Sequence, residues 1–285
     1  MLLTTRQKIS LARQCQRPLV AARRLLGLGA ETEVRRGGLR WQLDLNEGID
    51  LSIFLLGAFE RRTIRAYRKI VRAGDLVLDI GANVGAHTLP LARQVGPSGR
   101  VIAFEPTDFA FAKLSRNVAL NPDLAERITL SRTMLVDAGE TLPETLYASW
   151  PVHGQGVHPT LRARAMSTAQ ARAVTLDAFA ADLPRIDFIK LDVDGHEARV
   201  LRGARAALGR FRPTMIVELA PYTLDDAPGG DALDELLELL REARYVLTEL
   251  GSARRLPDRT RELRALIPDG GGVNAIARPA EAAGS

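Results

Sequence analysis

The chain has 285 residues, 46% of them hydrophobic and 26% charged, a composition suited to a soluble globular protein with one sizeable core. Its single cysteine, Cys15, excludes an intramolecular disulfide framework and a cysteine-rich zinc site, and no apolar run approaches the roughly 18 residues that a membrane span needs. The net charge of +5 is concentrated in residues 1–30, where Arg6, Lys8, Arg13, Arg17, Arg23 and Arg24 occur without an acid; with a near-neutral remainder and 5% aromatics, nucleic-acid binding has little support.

Residues 1–33 read as a basic N-terminal arm. Leu11, Leu19, Val20, Leu25 and Leu26 interleave with its arginines, which predicts a helix either packed on the domain or lying on an acidic membrane surface or a partner. The N-terminus lacks the charge-then-apolar order of a secretory signal. Residues 34–74 cover the core: Val34–Leu45 alternates as a hairpin about Gly37 and Gly38, with Trp41, Leu43 and Leu45 on one face. Thr63, Ile64, Tyr67, Ile70 and Val71 then mark a helix that stops at Gly74. Glu60, just before that helix, is either a charge favoured by the helix dipole or a polar contact to a ligand.

From Asp75 strands and helices alternate through residue 278, the mark of a mainly parallel sheet covered on both faces. Leu76–Gly85, reading L-V-L-D-I-G-A-N-V-G, is a buried strand that runs into an acid and then a glycine turn opening a helix at Ala86. Gly81 and Gly85 remove side chains where a ligand could approach. Outward-pointing amides favour negative charge there while Asp79 offers an acceptor, so the turn suits a ligand with both a carboxylate and donor groups. The second strand, Arg100–Phe104, ends in Glu105-Pro106, 24 residues beyond Gly81, where a carboxylate can accept both hydroxyls of a ribose.

A helix over Asp108–Leu120 and a strand over Ile128–Leu130 follow, and Asp137 then either approaches an adenine amino group or solvates a loop. Residues 139–173 break the alternation and hold Trp150, His153, Gly154, Gln155, Gly156 and His158, a candidate substrate lid. The sheet is expected to resume at Val174–Asp177. The strand Ile186–Val193 leads into Asp194-Gly195-His196-Glu197 and a helix with Val200, Leu201, Ala204 and Leu208 inward, so Asp192, Asp194, His196 and Glu197 crowd one corner. A divalent cation on Asp192, Asp194 and a further carboxylate would lower an acceptor hydroxyl's pKa, but were both aspartates in the strand they would point to opposite faces, which argues against shared ligation unless the chain has already turned, and no metal is assigned. Glu218, a charge within the strand Met215–Leu219, is expected to have a buried partner. A helix over Leu233–Arg241, a strand over Tyr245–Leu250, a last antiparallel strand over Val273–Ala277 and a frayed tail at 279–285 complete the chain.

The turn reads D-x-G-x-N-x-G, with Asn83 in place of the second glycine that a pyrophosphate requires, so a nicotinamide dinucleotide is a poor match. Taken with V-I-A-F-E-P at 101–106, T-L-D at 175–177, I-K-L-D-V-D-G-H-E at 189–197, V-L-R-G-A at 200–204 and I-V-E-L at 216–219, the chain resembles the FkbM family of S-adenosylmethionine-dependent methyltransferases. The resemblance implies an α/β fold: a seven-stranded Rossmann-like class I methyltransferase sheet, mostly parallel with one antiparallel strand, to which this chain adds an N-terminal helix and hairpin. It implies methyl transfer from S-adenosylmethionine to a hydroxyl of a sugar, glycolipid, polysaccharide or polyketide-type molecule. By matching position Asp79, Gly81, Asn83 and Gly85 would hold the methionine portion, Glu105 the ribose, and Asp192 the corner beside the sulfonium. His196 stands where the family often has Ala or Phe.

An alcohol nucleophile benefits from a base, for which Asp192 and His196 at the corner and His153 or His158 from the lid are candidates, while His87 reads as a packing residue. The expected location is cytoplasmic, with peripheral contact at the inner membrane surface or a biosynthetic complex through residues 1–30. The alternative is a non-catalytic cofactor-binding module docked through that arm, against which an acid at every expected ligand position speaks.

Overall fold

A computed structural model describes residues 5–152, 163–225, 232–252, 254–268 and 270–280. An N-terminal layer comprises α1 (Thr5–Leu25), β1 (Glu31–Arg36), β2 (Leu39–Asp44), α2 (Gly48–Leu56) and α3 (Arg61–Tyr67). The first half of the core follows as β3 (Leu76–Ile80), α4 (Thr88–Gln94), β4 (Arg100–Phe104), α5 (Asp108–Ala119), α6 (Pro122–Ala125) and β5 (Ile128–Ser131). Four short strands, β6 (Thr133–Leu135), β7 (Thr145–Ser149), β8 (Arg164–Ser167) and β9 (Arg172–Val174), separate it from α7 (Leu176–Phe179), β10 (Phe188–Leu191), α8 (Glu197–Arg202), α9 (Arg205–Phe211) and β11 (Thr214–Leu219). The chain closes through α10 (Pro221–Asp225), α11 (Ala232–Glu242), β12 (Tyr245–Glu249), α12 (Thr260–Leu266) and β13 (Val273–Pro279).

Seven strands form one sheet in the order β12-β13-β11-β10-β3-β4-β5, and β13 alone runs antiparallel to its neighbours. From β3 the chain builds outward through β4 and β5, then returns to place β10 and β11 on the other side. The order therefore reverses between β3 and β10, and a crevice opens beyond their C-terminal ends, where open α/β sheets bind ligands. Side chains alternate across β3: Leu78 and Ile80 pack with Ile102, Phe104 and Leu191 on one face, while Val77 packs with Leu89, Val101 and Ala103 on the other. Each fully buried aliphatic or aromatic side chain of this kind contributes about 1.5–3 kcal/mol, which fixes the strand ends that carry the site.

Strand β2 buries Leu39, Trp41 and Leu43 against the second of these layers. Its outer edge is satisfied by side chains of α5 and the turn after it: Asn117 Oδ1 accepts from Gln42 N at 2.8 Å, and Asn121 both accepts from Arg40 N at 3.0 Å and donates to Arg40 O at 2.8 Å. Helix α1 lies against the layer through Val20, which clusters with Leu45, Leu51 and Val152. Among the described residues no helix is long and apolar enough to cross a membrane.

Several local expectations shift. The first helix of the core begins at Thr88 rather than Ala86, and the strand drawn from Ile186 to Val193 contracts to Phe188–Leu191, so Asp192 already lies in the turn. Val174–Asp177 does not rejoin the main sheet: β9 pairs in parallel with β6, and Thr175 instead caps α7 by accepting from Ala178 N at 3.1 Å. The insertion at 139–173 is built around the antiparallel pair β7–β8 rather than being loop throughout. Its centre, with His153, Gly154, Gln155, Gly156 and His158, lies outside the described residues.

Candidate active site

At the switch point one cleft is lined by Ile80, Gly81 and Asn83, by Glu105–Thr107, by Met134 and Leu135, by Leu146–Ala148, and by Asp192–Asp194, His196 and Val200. The turn after β3 is shaped by backbone demands. Gly81 has φ 82°, and a Cβ there would lie 1.8 Å from the carbonyl oxygen of Asp192, so no other residue lets the two strand ends approach this closely. Gly85 has φ 89° and would place a Cβ 2.9 Å from Leu114 Cδ1, so this glycine gives α5 its close seat. Between them Asn83 is also left-handed, at φ 47°, a conformation its short amide tolerates because Oδ1 accepts from Val84 N at 2.9 Å.

Glu105 is almost fully buried at the tip of β4. Its Oε1 accepts from Thr107 N at 2.9 Å and Thr107 Oγ1 at 2.6 Å, and its Oε2 from Asn83 N at 3.0 Å. Burial raises its pKa even so. The carboxylate is thus held in one orientation against the cleft, with lone pairs left to accept hydroxyl groups.

The turn after β10 is different in kind. The strand has ended at Leu191, and positive φ values of 51° at Asp194 and 98° at Gly195 swing the chain round. Carboxylate oxygens of Asp192, Asp194 and Glu218 consequently lie within 4.8 Å of one another; the chain has already turned, so the alternation that would set Asp192 and Asp194 on opposite faces of a strand does not apply. Glu218 was expected to have a compensating partner; what faces it is mostly negative. Burial and its acidic neighbours, Asp192 first, push its pKa well above the ordinary carboxylate range, and Asp194 is raised in the same way. Glu197, at the start of α8, accepts from Val193 N at 2.9 Å and Gly195 N at 3.1 Å and so braces the turn, although burial lifts its pKa to about 7.

Among the described residues a lysine faces this group. Lys190, buried in β10, places Nζ 2.9 Å from Asp192 Oδ2 and donates to the Gly81 carbonyl at 3.4 Å. Burial alone would lower its pKa, but attraction from Asp192, Asp79 and Glu60 outweighs that and raises it. It joins the two turns and remains charged at neutral pH. Sequence reading passed over Lys190, although a lysine inside the apolar run F-I-K-L is the same signal that drew attention to Glu218.

His196 lines the cleft, and burial followed by Arg199 lowers its pKa to about 4, so it presents a neutral imidazole at neutral pH. The other expected ligand acids do not line the cleft. Asp79 shares the Val77 face of β3 and turns toward α4, where its Oδ2 accepts from Thr88 Oγ1 at 2.6 Å. Glu60 accepts from Thr63 Oγ1 at 3.1 Å and Asn274 Nδ2 at 2.9 Å and lies 3.5 Å from His87 Nε2. Burial opposes its ionisation, but His87, Lys190 and Thr63 prevail and lower its pKa to about 2. Asp137 lies 3.1 Å from Arg202 Nε and accepts from Ala138 N. His87 packs edge-on against Phe59 and Tyr67, with ring centroids 6.1 and 6.0 Å away.

Among solved structures the chain is similar to an FkbM methyltransferase from Methylobacillus flagellatus, at 18% identity and a TM-score of 0.44 over 75% of this chain and 50% of that one. Its curated relatives include methyltransferase sdnD of Sordaria araneosa, 32% identical over 46% of this chain and 61% of the relative. Hexuronic acid methyltransferase AglP of Haloferax volcanii is 26% identical over 52% of this chain and 58% of its own. The chain thus spans less than two thirds of either relative. The Methyltransferase FkbM domain matches residues 79–247, from the middle of β3 into β12 and across both turns of the cleft, and the chain belongs to the FkbM family of S-adenosylmethionine-dependent methyltransferases.

Proposed function

We propose that the chain transfers a methyl group from S-adenosylmethionine to a hydroxyl oxygen of a sugar, glycolipid or polyketide-type acceptor. The observation that carries this reading is the convergence of the Gly81–Asn83 turn, Glu105 and the Asp192 corner on one cleft. The residues fit the donor chemically. Glu105 offers acceptor lone pairs for a ribose diol, Met134 and Leu135 give an apolar wall for a flat ring, and the Asp192 carboxylate at the rim favours a ligand with a positive end. Bound S-adenosylmethionine supplies the electrophilic methyl group.

The protein then has to present an acceptor oxygen about 3–3.5 Å from that carbon, in line and away from water. Asp192, kept near Lys190, would be the group that accepts the acceptor's hydroxyl proton. His196, neutral at neutral pH, orients the hydroxyl by hydrogen bonding. The hexuronic acid named for the AglP relative supports a uronic sugar as the first acceptor class to try.

Calorimetry with S-adenosylmethionine tests the donor, with binding expected in the wild type and weakened in Glu105→Ala. Product analysis with uronic sugars tests the acceptor: a methyl ether survives mild base, whereas a methyl ester is hydrolysed and would move the reading from hydroxyl to carboxyl. A chain that binds the donor yet methylates none of the three acceptor classes would favour the cofactor-binding module instead.

A further inference from the structure

The outer face of α1 is unlike the rest of the surface. Leu11, Cys15, Pro18, Ala22 and Leu25 recur at steps of four, three, four and three residues, which places them on one stripe, and all five are exposed. The opposite side, with Gln16 and Val20, is the one buried against the domain. The helix then ends in an ordered stop: Gly27 is left-handed at φ 73°, Gly27 N donates to Arg24 O at 3.0 Å and Leu28 N to Arg23 O at 2.9 Å. Arg23 Nε ties the turn by donating to Gly29 O at 2.9 Å. Such a stop usually folds an apolar residue back onto the helix. Here it holds Leu25, Leu26 and Leu28 outward, 89%, 76% and 48% exposed.

Charge identifies the occupant. Arg17 and Arg24, seven residues apart, flank the apolar stripe and are exposed. Among the described residues no ion pair joins a carboxylate to Arg13, Arg17, Arg23 or Arg24. Uncompensated arginines beside a protruding rather than concave apolar surface match an anionic bilayer, whose headgroups attract the guanidinium groups while its acyl boundary takes leucines. We infer that the outer face of α1 and the leucine turn that ends it dock this protein on an anionic lipid surface. The inference stands on the helix and is independent of the reaction assigned to the cleft.

Vesicle flotation of the full chain tests it, with vesicles of phosphatidylcholine alone and of phosphatidylcholine with phosphatidylglycerol in equal parts. The wild type is expected to float with the anionic vesicles and not with the neutral ones. Leu25→Asp with Leu26→Asp, and separately Arg17→Glu with Arg24→Glu, are each expected to reduce the floated fraction about tenfold. The affected side chains are exposed, so unchanged melting temperatures will confirm that both variants fold. Leu26→Trp adds a reading within the folded protein, an emission shift to the blue on anionic vesicles alone. Flotation that ignores the leucine pair overturns the inference, as does a tryptophan that does not shift. A leucine-dependent dimer in gel filtration with no flotation assigns the stripe to a second copy and overturns it equally.

Discussion

The turns after β3 and after β10 leave adjacent parallel strands at the same sheet edge, yet they solve opposite problems. In the first, left-handed backbone at Gly81, Asn83 and Gly85 brings the Asn83 amide to Glu105, whose carboxylate also accepts twice from Thr107. In the second, left-handed backbone at Asp194 and Gly195 brings three carboxyl groups together, with the Lys190 ammonium 2.9 Å from Asp192. A recognition surface can be satisfied before its ligand arrives. The corner proposed to react instead keeps titratable groups in a poorly solvated place, where a small change in partner has a large effect on protonation.

The sharpest way to break this contrast is Gly81→Val, which forces a Cβ into the Asp192 carbonyl and adds a strained left-handed residue. A loss of several kcal/mol in unfolding free energy and more than about 100-fold in donor affinity is expected. Gly139→Val, also at positive φ but with nothing within 4 Å, is the control and costs about 1 kcal/mol. Lys190→Met comes next. It leaves the Asp192 corner without its near cation, and kcat is expected to fall on the order of 100-fold while donor affinity changes less, with the acid limb of the pH–rate profile moved upward. Equal losses in both would make Lys190 a packing residue.

Glu105→Gln removes the charge but not the shape of the side chain proposed to accept the ribose hydroxyls. A loss of about 1.4–3 kcal/mol in donor binding, read by calorimetry with kcat nearly unchanged, would keep Glu105 on the recognition side of the contrast. Smaller effects separate the two corner groups by pH. Glu197 has a folded pKa raised from 4.5 to about 7, so the folded state holds a proton that the unfolded state releases, and stability falls as pH rises through this window. Glu197→Gln should flatten that fall by a few degrees of melting temperature. His196 is lowered from 6.5 to about 4, so stability is instead lost as pH falls through that range, and His196→Gln should flatten the acid side. The smallest expected effect is a chelator's. With the Lys190 ammonium already at Asp192, activity should persist without divalent ions; loss restored by magnesium would give the three carboxylates to a metal.

What was legible in the sequence was local. The run Leu76–Ile80 with Gly81 and Gly85 specifies a buried strand and a tight turn from neighbouring residues alone, and Glu105 follows from its place at the next strand tip. The face of Asp79 also follows from strand alternation: it shares the Val77 side, where Thr88 of α4 donates to its Oδ2. Partnerships across long separations were not readable: β6 with β9, Asn274 with Glu60, and Arg202 with Asp137 depend on the assembled fold. The same limit explains Glu218, whose expected partner proved to be two further acids brought in by a left-handed turn.

Strand β13 lies between β11 and β12, out of chain order. During synthesis on a ribosome, β12 therefore emerges before the strand it must pair with, and β11 keeps an open hydrogen-bonding edge until residues 273–279 arrive. The same late strand carries Asn274 to Glu60 and so ties the end of the sheet to the layer made first. A nascent chain held short of residue 273 has every residue of the cleft but not that clasp, and its exposed edge marks the stage at which chaperone protection matters most.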